Sequence, residues 1–331
     1  MNPRIAYVAS KEPVRLEAVL HSAKPDLEVD VIEAGLPESE KAARCAPHEI
    51  IIVGARTPMS VLLSCDRLRF VQLMSAGFDA YDVGALGERG VQIANNAAAI
   101  APTVAEHTIL LMLAAKRRLV ESWLSVQSRD WDARARKNEM TELTGSTVGV
   151  IGLGHIGRQV AKRLRGWEVK LLYFDPVPAP PEVEQELGAT RVGLDELLRG
   201  SDVVTLHVPL NARTRHLIGE SELRMMKSTA ILVNTCRGPV VDERALCAAL
   251  ANGWIMGAGL DVLAVEPADP DNPLLEMGNA LVTPHAAGSS IQRAKRTAKV
   301  ALTNVRRVLK GLSPLGMLTA AHTKLDNTPT R

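Results

Sequence analysis

Three glycines at fixed spacing lie in the segment 152–157, which reads Gly-Leu-Gly-His-Ile-Gly, between the apolar run Thr147–Ile151 and a helix-forming stretch that begins at His155. This order of strand, glycine turn and helix is the context that a dinucleotide-binding unit requires. Gly152 allows the tight turn, Gly154 lets the backbone approach a pyrophosphate, and Gly157 lets the helix pack closely on the strand. Because a helix N-terminus also offers unpaired N–H groups and a positive dipole end to phosphate, the segment predicts a nucleotide-binding α/β domain.

The next predicted strand, Val169–Phe174, is followed directly by Asp175. A carboxylate at this place can accept hydrogen bonds from both hydroxyls of the adenosine ribose, and it repels a 2′-phosphate. The sequence therefore predicts NAD as the cofactor in preference to NADP. A strand-terminal turn residue before Pro176 is the alternative interpretation of Asp175.

The remaining pattern predicts two α/β domains, because 331 residues exceed what one hydrophobic core usually organises. β-rich runs alternate with helical stretches, which favours doubly wound parallel sheets and two Rossmann-like domains. We expect residues 1–100 plus 290–331 to form a substrate domain, with the NAD-binding domain, residues 101–289, inserted in it. A single long amphipathic helix is predicted over Pro102–Arg129. The predicted strands are Arg4–Ser10, Glu28–Ile32, Glu49–Gly54, Leu68–Met74, Val91–Ala94, Thr147–Ile151, Val169–Phe174, Val203–Val208, Ala230–Asn234, Met256–Asp261 and Ala280–Thr283.

Three residues suited to hydride-transfer chemistry follow successive predicted strands of the second domain. They are Arg237 in the segment Asn-Thr-Cys-Arg-Gly, Glu266 shortly after Asp261, and His285 in the segment Thr-Pro-His-Ala-Ala-Gly. A guanidinium can bind a carboxylate through two parallel hydrogen bonds, and an imidazole paired with a carboxylate can exchange a proton with a substrate oxygen. Ligands of such sheets bind at the carboxyl ends of strands, so we expect these side chains to converge there.

At these residues the sequence resembles the D-isomer-specific 2-hydroxyacid dehydrogenases, and the resemblance covers nearly the whole chain in the expected order. The resemblance implies an enzyme that interconverts a D-2-hydroxy acid and its 2-keto acid with NAD. It also implies that His285 is the general acid/base, that Glu266 holds its imidazole, and that Arg237 binds the substrate carboxylate. The matching segments are 104–107 (Val-Ala-Glu-His), 152–157, 207–210 (His-Val-Pro-Leu), 234–238, 241–243 (Val-Asp-Glu), 259–267 and 283–288.

The resemblance also implies the cofactor contacts. His155 and Ile156 are expected to contact the pyrophosphate, and Asp261 the nicotinamide carboxamide. Val208, Pro209 and Thr214 are expected on the adenosine and nicotinamide sides. Thr103, Cys236 and Gly288 are expected near the nicotinamide.

The segment Ser75-Ala76-Gly77 resembles the family's substrate loop, in which small residues expose backbone N–H groups to the substrate carboxylate. A helix-leading turn is the alternative. Phosphite dehydrogenases carry a lysine where this chain has Ala76, and formate dehydrogenases carry a glutamine where it has Glu266, so neither substrate is favoured. Arg56 is predicted either to bind a second anion or to lie on the surface. The substrate stays open among glyoxylate, hydroxypyruvate, pyruvate, larger apolar keto acids and a phosphorylated one.

Composition excludes several other classes of protein. The 39 Lys and Arg residues are scattered and nearly balance 37 Asp and Glu, so no nucleic-acid partner is expected. No uninterrupted apolar run reaches the ~18 residues of a membrane span, and no HExxH or cysteine pair indicates a metal site. We therefore expect a cytoplasmic protein with reduced thiols, no metal and no membrane partner. The long apolar helix, together with the dimers that the resemblance implies, predicts a twofold homodimer through the NAD-binding domain. The alternative function is an NAD(H)-sensing binding protein or corepressor on the same fold.

Overall fold

The computed structural model describes residues 4–131 and 139–319, and they group into two compact units. Unit 1 comprises residues 4–100 and 289–319, and unit 2 comprises residues 101–131 and 139–288. Each unit is a sheet covered by helices on both faces. Together with the solved structures reported below, this confirms the predicted α/β class with two Rossmann-like domains.

Unit 1 is built on a six-stranded sheet in the order β13-β5-β4-β3-β1-β2, in which only β13 is antiparallel to its neighbour. Its central strands are continuous apolar runs, as expected where helices cover both faces; in β3 every side chain is buried. The strands are β1 (Ile5–Ala9), β2 (Val29–Glu33), β3 (Ile50–Val53), β4 (Phe70–Leu73), β5 (Gln92–Ala94) and β13 (Met317–Leu318); the helices are α1 (Pro13–Ala23), α2 (Glu38–Cys45), α3 (Met59–Leu63), α4 (Val83–Glu88) and α12 (Ile291–Leu309).

Unit 2 contains a seven-stranded, wholly parallel sheet in the order β12-β11-β10-β9-β6-β7-β8. The order reverses between β6 and β9, which makes the carboxyl ends of these two strands the place where such sheets bind ligands. The strands are β6 (Thr147–Ile151), β7 (Lys170–Phe174), β8 (Ala189–Arg191), β9 (Val203–Leu206), β10 (Ile231–Asn234), β11 (Gly257–Leu260) and β12 (Ala280–Val282); the helices are α6 (Leu119–Gln127), α7 (His155–Leu164), α8 (Pro181–Leu187), α9 (Leu194–Gly200), α10 (Glu220–Met225) and α11 (Glu243–Ala251).

The prediction of one helix over Pro102–Arg129 is wrong. A helix α5 spans Ala97–Lys116, and a separate helix, α6, begins at Leu119. The break lies at Arg118, whose φ of +47° is left-handed and whose guanidinium bonds the carboxylate of Glu121. No glycine or proline marks this position, so the apolar pattern continues through it and predicts one uninterrupted helix.

Helix α5 is also the one helix in the described parts of the chain that is long and apolar enough to cross a membrane by length and composition. Half of its most apolar 18-residue window is buried inside the protein. Buried core helices meet the same criterion, so this finding is weak evidence for a membrane span.

Candidate active site

The glycine turn of unit 2 joins β6 to α7. Gly152 has a φ of +92°, and a Cβ atom there would lie 2.6 Å from the carbonyl oxygen of His207. A Cβ on Gly157 would lie 2.1 Å from the carbonyl oxygen of Gly152, so the helix packs as close as a glycine permits. Around Gly154, the residue before the first turn of α7, no atom lies within 4 Å of the Cβ position. The turn therefore requires two glycines for packing and leaves open space at the third, where a pyrophosphate can approach the helix N-terminus.

Asp175 directly follows β7 and is tied to the glycine turn. One carboxylate oxygen accepts a hydrogen bond from the main-chain N–H of Leu153 at 2.9 Å, and the other accepts one from the N–H of Val177 at 3.0 Å. Each oxygen of an ionised carboxylate has a second acceptor position, so both remain able to accept from a ribose hydroxyl. The guanidinium of Arg191 binds the main-chain carbonyl of Asp175 at 3.0 Å. The loop is thereby fixed from both sides.

The other residues expected near the cofactor occupy loops after β9 and β10. A methyl of Val208 approaches the Cβ position of Gly152 at 2.9 Å, and Thr214 donates its hydroxyl to the carbonyl of Pro209 at 2.6 Å. Cys236 is buried, and burial raises the pKa of its thiol to about 11, so it stays a neutral thiol. These side chains are therefore uncharged at neutral pH. Three further expected contacts are half-buried, namely Ile156, Thr103 and Gly288.

Arg237 lies in the turn after β10, and Asn234 shapes that turn. The Asn234 amide oxygen accepts from the N–H of Cys236 at 3.0 Å, while its NH₂ donates to the carbonyl of Arg237 at 2.9 Å. A Cβ on Gly238 would lie 1.9 Å from the carbonyl oxygen of Leu263, so the turn packs directly against the loop that carries Glu266. The chain thus brings the turn of Arg237 and the loop of Glu266 together.

Glu266 and His285 form a pair in which Glu266 Oε2 lies 2.6 Å from His285 Nδ1. Glu266 follows β11 and His285 follows β12, so the pair stands at the carboxyl edge of the sheet. The second carboxylate oxygen of Glu266 accepts from the N–H of Leu263 at 3.1 Å, which orients the carboxylate. With Nδ1 bonded to the carboxylate, Nε2 is the ring nitrogen available for proton exchange, and 48% of the His285 side chain is exposed.

The backbone at His285 is left-handed, with a φ of +51°. Its N–H donates to the main-chain carbonyl of Asp261 at 2.8 Å, and the Asp261 carboxylate accepts from the N–H groups of Ala286 and Ala287, each at 2.8 Å. Asp261, expected from the resemblance to contact the nicotinamide carboxamide, is therefore also the residue that holds the turn of His285.

In unit 1, Ser75–Gly77 forms a turn after β4, and the main-chain carbonyls of all three residues accept hydrogen bonds from other groups of unit 1. Asn96 N–H binds the carbonyl of Ser75 at 2.9 Å, the Asn95 amide binds that of Ala76 at 2.8 Å, and the Ser75 hydroxyl binds that of Gly77 at 2.8 Å. With its carbonyls fixed, the turn can offer main-chain N–H groups to an anion.

Arg56 follows β3 of unit 1 and is exposed.

Two other histidines do not qualify as acid/base groups. Burial lowers the pKa of His207 to about 3, so its imidazole stays neutral at ordinary pH. His155, at the first turn of α7, has a pKa lowered by desolvation and by the nearby charge of Arg158. In residues 4–131 and 139–319, no group of three or more His, Cys, Asp and Glu side chains is arranged to hold a metal ion.

Sequence reasoning assigned no role to Asn234, Asn95 or Asn96, which shape the two turns. A signal was present for Asn234 and Asn95, because asparagine at the end of a strand favours turns in which its side chain bonds the backbone two residues on. Glu243 was noted only as part of a motif. Its carboxylate accepts from the N–H of Ala264 at 2.8 Å and from the amide of Asn272 at 2.7 Å, which anchors the loop leading to Glu266.

Comparison with known proteins connects this geometry to one family. Residues 109–287 match the model of the D-isomer specific 2-hydroxyacid dehydrogenase NAD binding domain. A glyoxylate reductase of Korarchaeum cryptofilum is 37% identical over 320 residues, which cover 95% of each chain. A D-3-phosphoglycerate dehydrogenase of Archaeoglobus fulgidus is also 37% identical, over 91% of this chain and 57% of that protein.

Among solved structures, a glyoxylate reductase from Paecilomyes thermophila superposes with a TM-score of 0.85 at 28% identity. The alignment covers 96% of this chain and 99% of that one. The similarity therefore extends over both units of the fold.

Proposed function

The chain belongs to the D-isomer-specific 2-hydroxyacid dehydrogenase family, and we propose that it reduces a small 2-keto acid, of the glyoxylate type, through a His285–Glu266 acid/base pair and an Arg237 carboxylate anchor. Membership confirms the predicted family, the enzyme class and NAD as cofactor. The observation that carries the finer proposal is the 2.6 Å contact between Glu266 and His285 at the carboxyl edge of the sheet.

The residues divide the work of the reduction as follows. NADH held at the glycine turn and Asp175 would supply a hydride for the keto carbon, and the carbonyl oxygen must then gain a proton. His285 gives that proton from Nε2 and becomes neutral imidazole, while Glu266 keeps hold of Nδ1–H. Glu266 thereby orients the ring and leaves Nε2 for the substrate oxygen. The same atoms run in reverse when the hydroxy acid is oxidised.

Arg237 is proposed to bind the substrate carboxylate. Its guanidinium is always charged and presents parallel N–H donors that match a planar carboxylate. The turn that carries it is rigid, since Asn234 bonds both of its sides and Gly238 packs on Leu263. In unit 1, the N–H groups of Ser75, Ala76 and Gly77 are proposed as further carboxylate donors, supported by the internal bonding of the turn's carbonyls.

The proposed NAD contacts rest on the glycine turn and Asp175. The space beside Gly154 suits a pyrophosphate at the start of α7, and His155 and Ile156 are the first residues of that helix. Asp175, held at the glycine turn by Leu153, is proposed to bind the ribose hydroxyls. Val208, Pro209, Thr214, Thr103, Cys236 and Gly288 complete the proposed set.

A homodimer is proposed because α6 presents an apolar surface. Leu119, Val120, Trp123, Leu124 and Val126 are all exposed. A small cavity beside α6 is lined by Ala114, Val120, Met256 and Leu281, at the edge of the sheet where β12 lies. A second copy of this chain fits such a surface, since isologous contacts pair identical apolar patches. Light scattering at micromolar concentration is expected to give a dimer, and an active monomer would contradict the proposal.

We propose that the enzyme is cytoplasmic. All four cysteines, Cys45, Cys65, Cys236 and Cys247, are free thiols, and three of them are buried. Unpaired thiols are typical of proteins that work in a reducing compartment. Fractionation of the native cells, with the enzyme followed by its activity, tests this placement; recovery with the membrane or secreted fraction would contradict it.

The test of the proposed function is NADH oxidation with a panel of keto acids: glyoxylate, hydroxypyruvate, pyruvate, a larger apolar keto acid and phosphohydroxypyruvate. We expect turnover with at least one of the small unphosphorylated acids. Tight NADH binding without turnover of any member would contradict the proposal and favour an NAD(H)-sensing role. The matched control is Arg213→Ala, a half-buried arginine with no proposed part in substrate binding, which should keep the wild-type substrate order.

A further inference from the structure

A chain of hydrogen bonds runs from helix α5 to the turn of His285. Asp261 is buried, with 1% of its surface exposed, at the end of β11. Its Oδ1 accepts from the hydroxyl of Thr283 at 2.6 Å, and Thr283 Oγ1 lies 3.1 Å from Nε2 of His107 on α5. The same Nε2 lies 3.5 Å from Asp261 Oδ1. His107 is therefore linked to Asp261 through Thr283, and its Nε2 also lies close to the carboxylate.

The direction of these bonds follows from the count of protons. A threonine hydroxyl has one proton, and the 2.6 Å contact to a carboxylate oxygen assigns that proton to the bond with Asp261. Thr283 Oγ1 can then only accept from His107, so His107 must carry its proton on Nε2. Because a carboxylate has acceptor positions only, every group around Asp261 is a donor: Thr283, Ala286 and Ala287, with His107 behind them.

We propose that His107 and Thr283 are positioning residues for His285, acting through Asp261. The proposal rests on the proposed function, in which His285 exchanges the proton. His285 has a left-handed backbone, which is strained for a residue with a side chain and persists only where its surroundings fix it. Asp261 supplies that constraint through three main-chain bonds, its carbonyl to His285 N–H and its carboxylate to Ala286 and Ala287. His107 and Thr283 in turn fix the carboxylate.

Loss of the N–H donor of His107 should make the turn of His285 more mobile, while the side chains of Arg237, Glu266 and His285 all remain in the site. The charged or titratable groups that face the turn within unit 2 are Glu266 on the imidazole side and Asp261 and His107 behind it. A looser turn lets the imidazole leave Glu266 for part of the time, so its contact with the carboxylate charge is weakened. Turnover should fall, substrate KM should change little, and the pH at which reduction is lost should move lower.

The experiment compares two graded pairs of variants in the full chain. His107→Leu and Thr283→Val remove the donor and the relay, whereas His107→Gln and Thr283→Ser retain them. We expect kcat to fall about 10- to 100-fold in His107→Leu and in Thr283→Val, as for other small misplacements of a reacting group. It should be largely restored in His107→Gln and Thr283→Ser. His48→Gln is the control, because His48 is also a buried, hydrogen-bonded histidine but lies in unit 1. Thermal unfolding of each variant reports whether the fold is kept.

A second readout does not depend on activity. In protein labelled at histidine nitrogens, the hydrogen-bonded Nδ1 proton of His285 gives a downfield signal that His285→Ala identifies by its loss. That signal should shift or broaden in His107→Leu and recover in His107→Gln. A folded His107→Leu with wild-type kcat, pH profile and Nδ1 signal would overturn the inference. A wild-type protein that reduces no keto acid, yet shows the signal responding to His107, would overturn the proposed function and leave the positioning role intact.

Discussion

Asp261 and Glu266 are five positions apart and both lie beyond β11, yet their surroundings differ. Asp261 is 1% exposed and accepts bonds from a hydroxyl and two backbone N–H groups, whereas 37% of the Glu266 side chain is exposed and its partners are one N–H and the imidazole of His285. A buried carboxylate with a full set of donors fixes a backbone, and an exposed one paired with a titratable ring can take part in proton transfer. We therefore expect these two acidic residues of one loop to serve separate purposes.

If the exposed pair carries the chemistry, removal of its acid should have the largest effect on rate. His285→Ala is expected to lower kcat for keto-acid reduction by about 10²- to 10⁴-fold, the usual contribution of general acid catalysis, with NADH affinity nearly unchanged. Stopped-flow measurement of NADH oxidation and a fluorescence titration of NADH give the two quantities. Wild-type turnover in this variant would mean that the pair is structural.

Substitutions of Arg237 test whether substrate binding can be separated from proton transfer by the exposed Glu266–His285 pair. Arg237→Ala removes hydrogen bonds to a charged group, each worth about 1.5–3 kcal/mol, so kcat should fall and substrate KM should rise by about 10-fold or more. Arg237→Lys keeps the charge but loses the paired donors and should recover only part of the loss. Steady-state kinetics that show a change in kcat alone would contradict the anchor role.

Stability should depend on the buried carboxylate. Asp261→Asn places an NH₂ group against N–H donors and should cost about 1–3 kcal/mol of unfolding free energy, roughly 2–12 °C in Tm for a domain of this size. Glu266→Gln should shift Tm far less. Differential scanning calorimetry compares the two, and equal Tm losses would remove the distinction between them.

The sequence predicted those parts of the molecule that depend on short-range pattern. The glycine turn was recognisable because its spacing lies between an apolar strand and a helix, and the central strands were predicted from apolar runs such as that of β3. The short strands β8 and β13 were missed. β8 reads Ala-Thr-Arg and β13 has only two residues, so neither carries a recognisable run of apolar residues.

The candidate site divides in the same way. Arg237, Glu266 and His285 each stand in a local motif, and their site assignments remain predictions until the variants are measured. The constraint on His285 could not be predicted, because it needs His107, Asp261 and Thr283. His107 is distant from the other two in the chain and meets them only where the middle of α5 lies beside the ends of β11 and β12. The left-handed φ of His285 follows a proline and carries no sequence marker of its own.

Substitution of Asp175 should have a smaller effect, on the preference for NADH over NADPH. Asp175→Ala removes the charge that repels a 2′-phosphate and the acceptors for the ribose hydroxyls, so kcat/KM with NADH should fall and the preference over NADPH should narrow. Asp195→Ala, an acidic residue with no proposed cofactor contact, is the control and should leave the preference unchanged. Equal efficiency of the wild-type enzyme with both cofactors would contradict the role given to Asp175.

The pH profile of Glu266→Gln tests the central claim most directly. Reduction uses the imidazolium of His285, so activity is lost as pH rises and that proton leaves. The amide keeps a hydrogen bond to the ring but lacks the charge that favours imidazolium, so the loss should occur at lower pH than in the wild type, while NADH affinity stays nearly constant. Glu276→Gln, which neutralises an exposed carboxylate elsewhere in unit 2, should keep the wild-type profile. An unchanged profile in Glu266→Gln would contradict the acid/base pair proposed here.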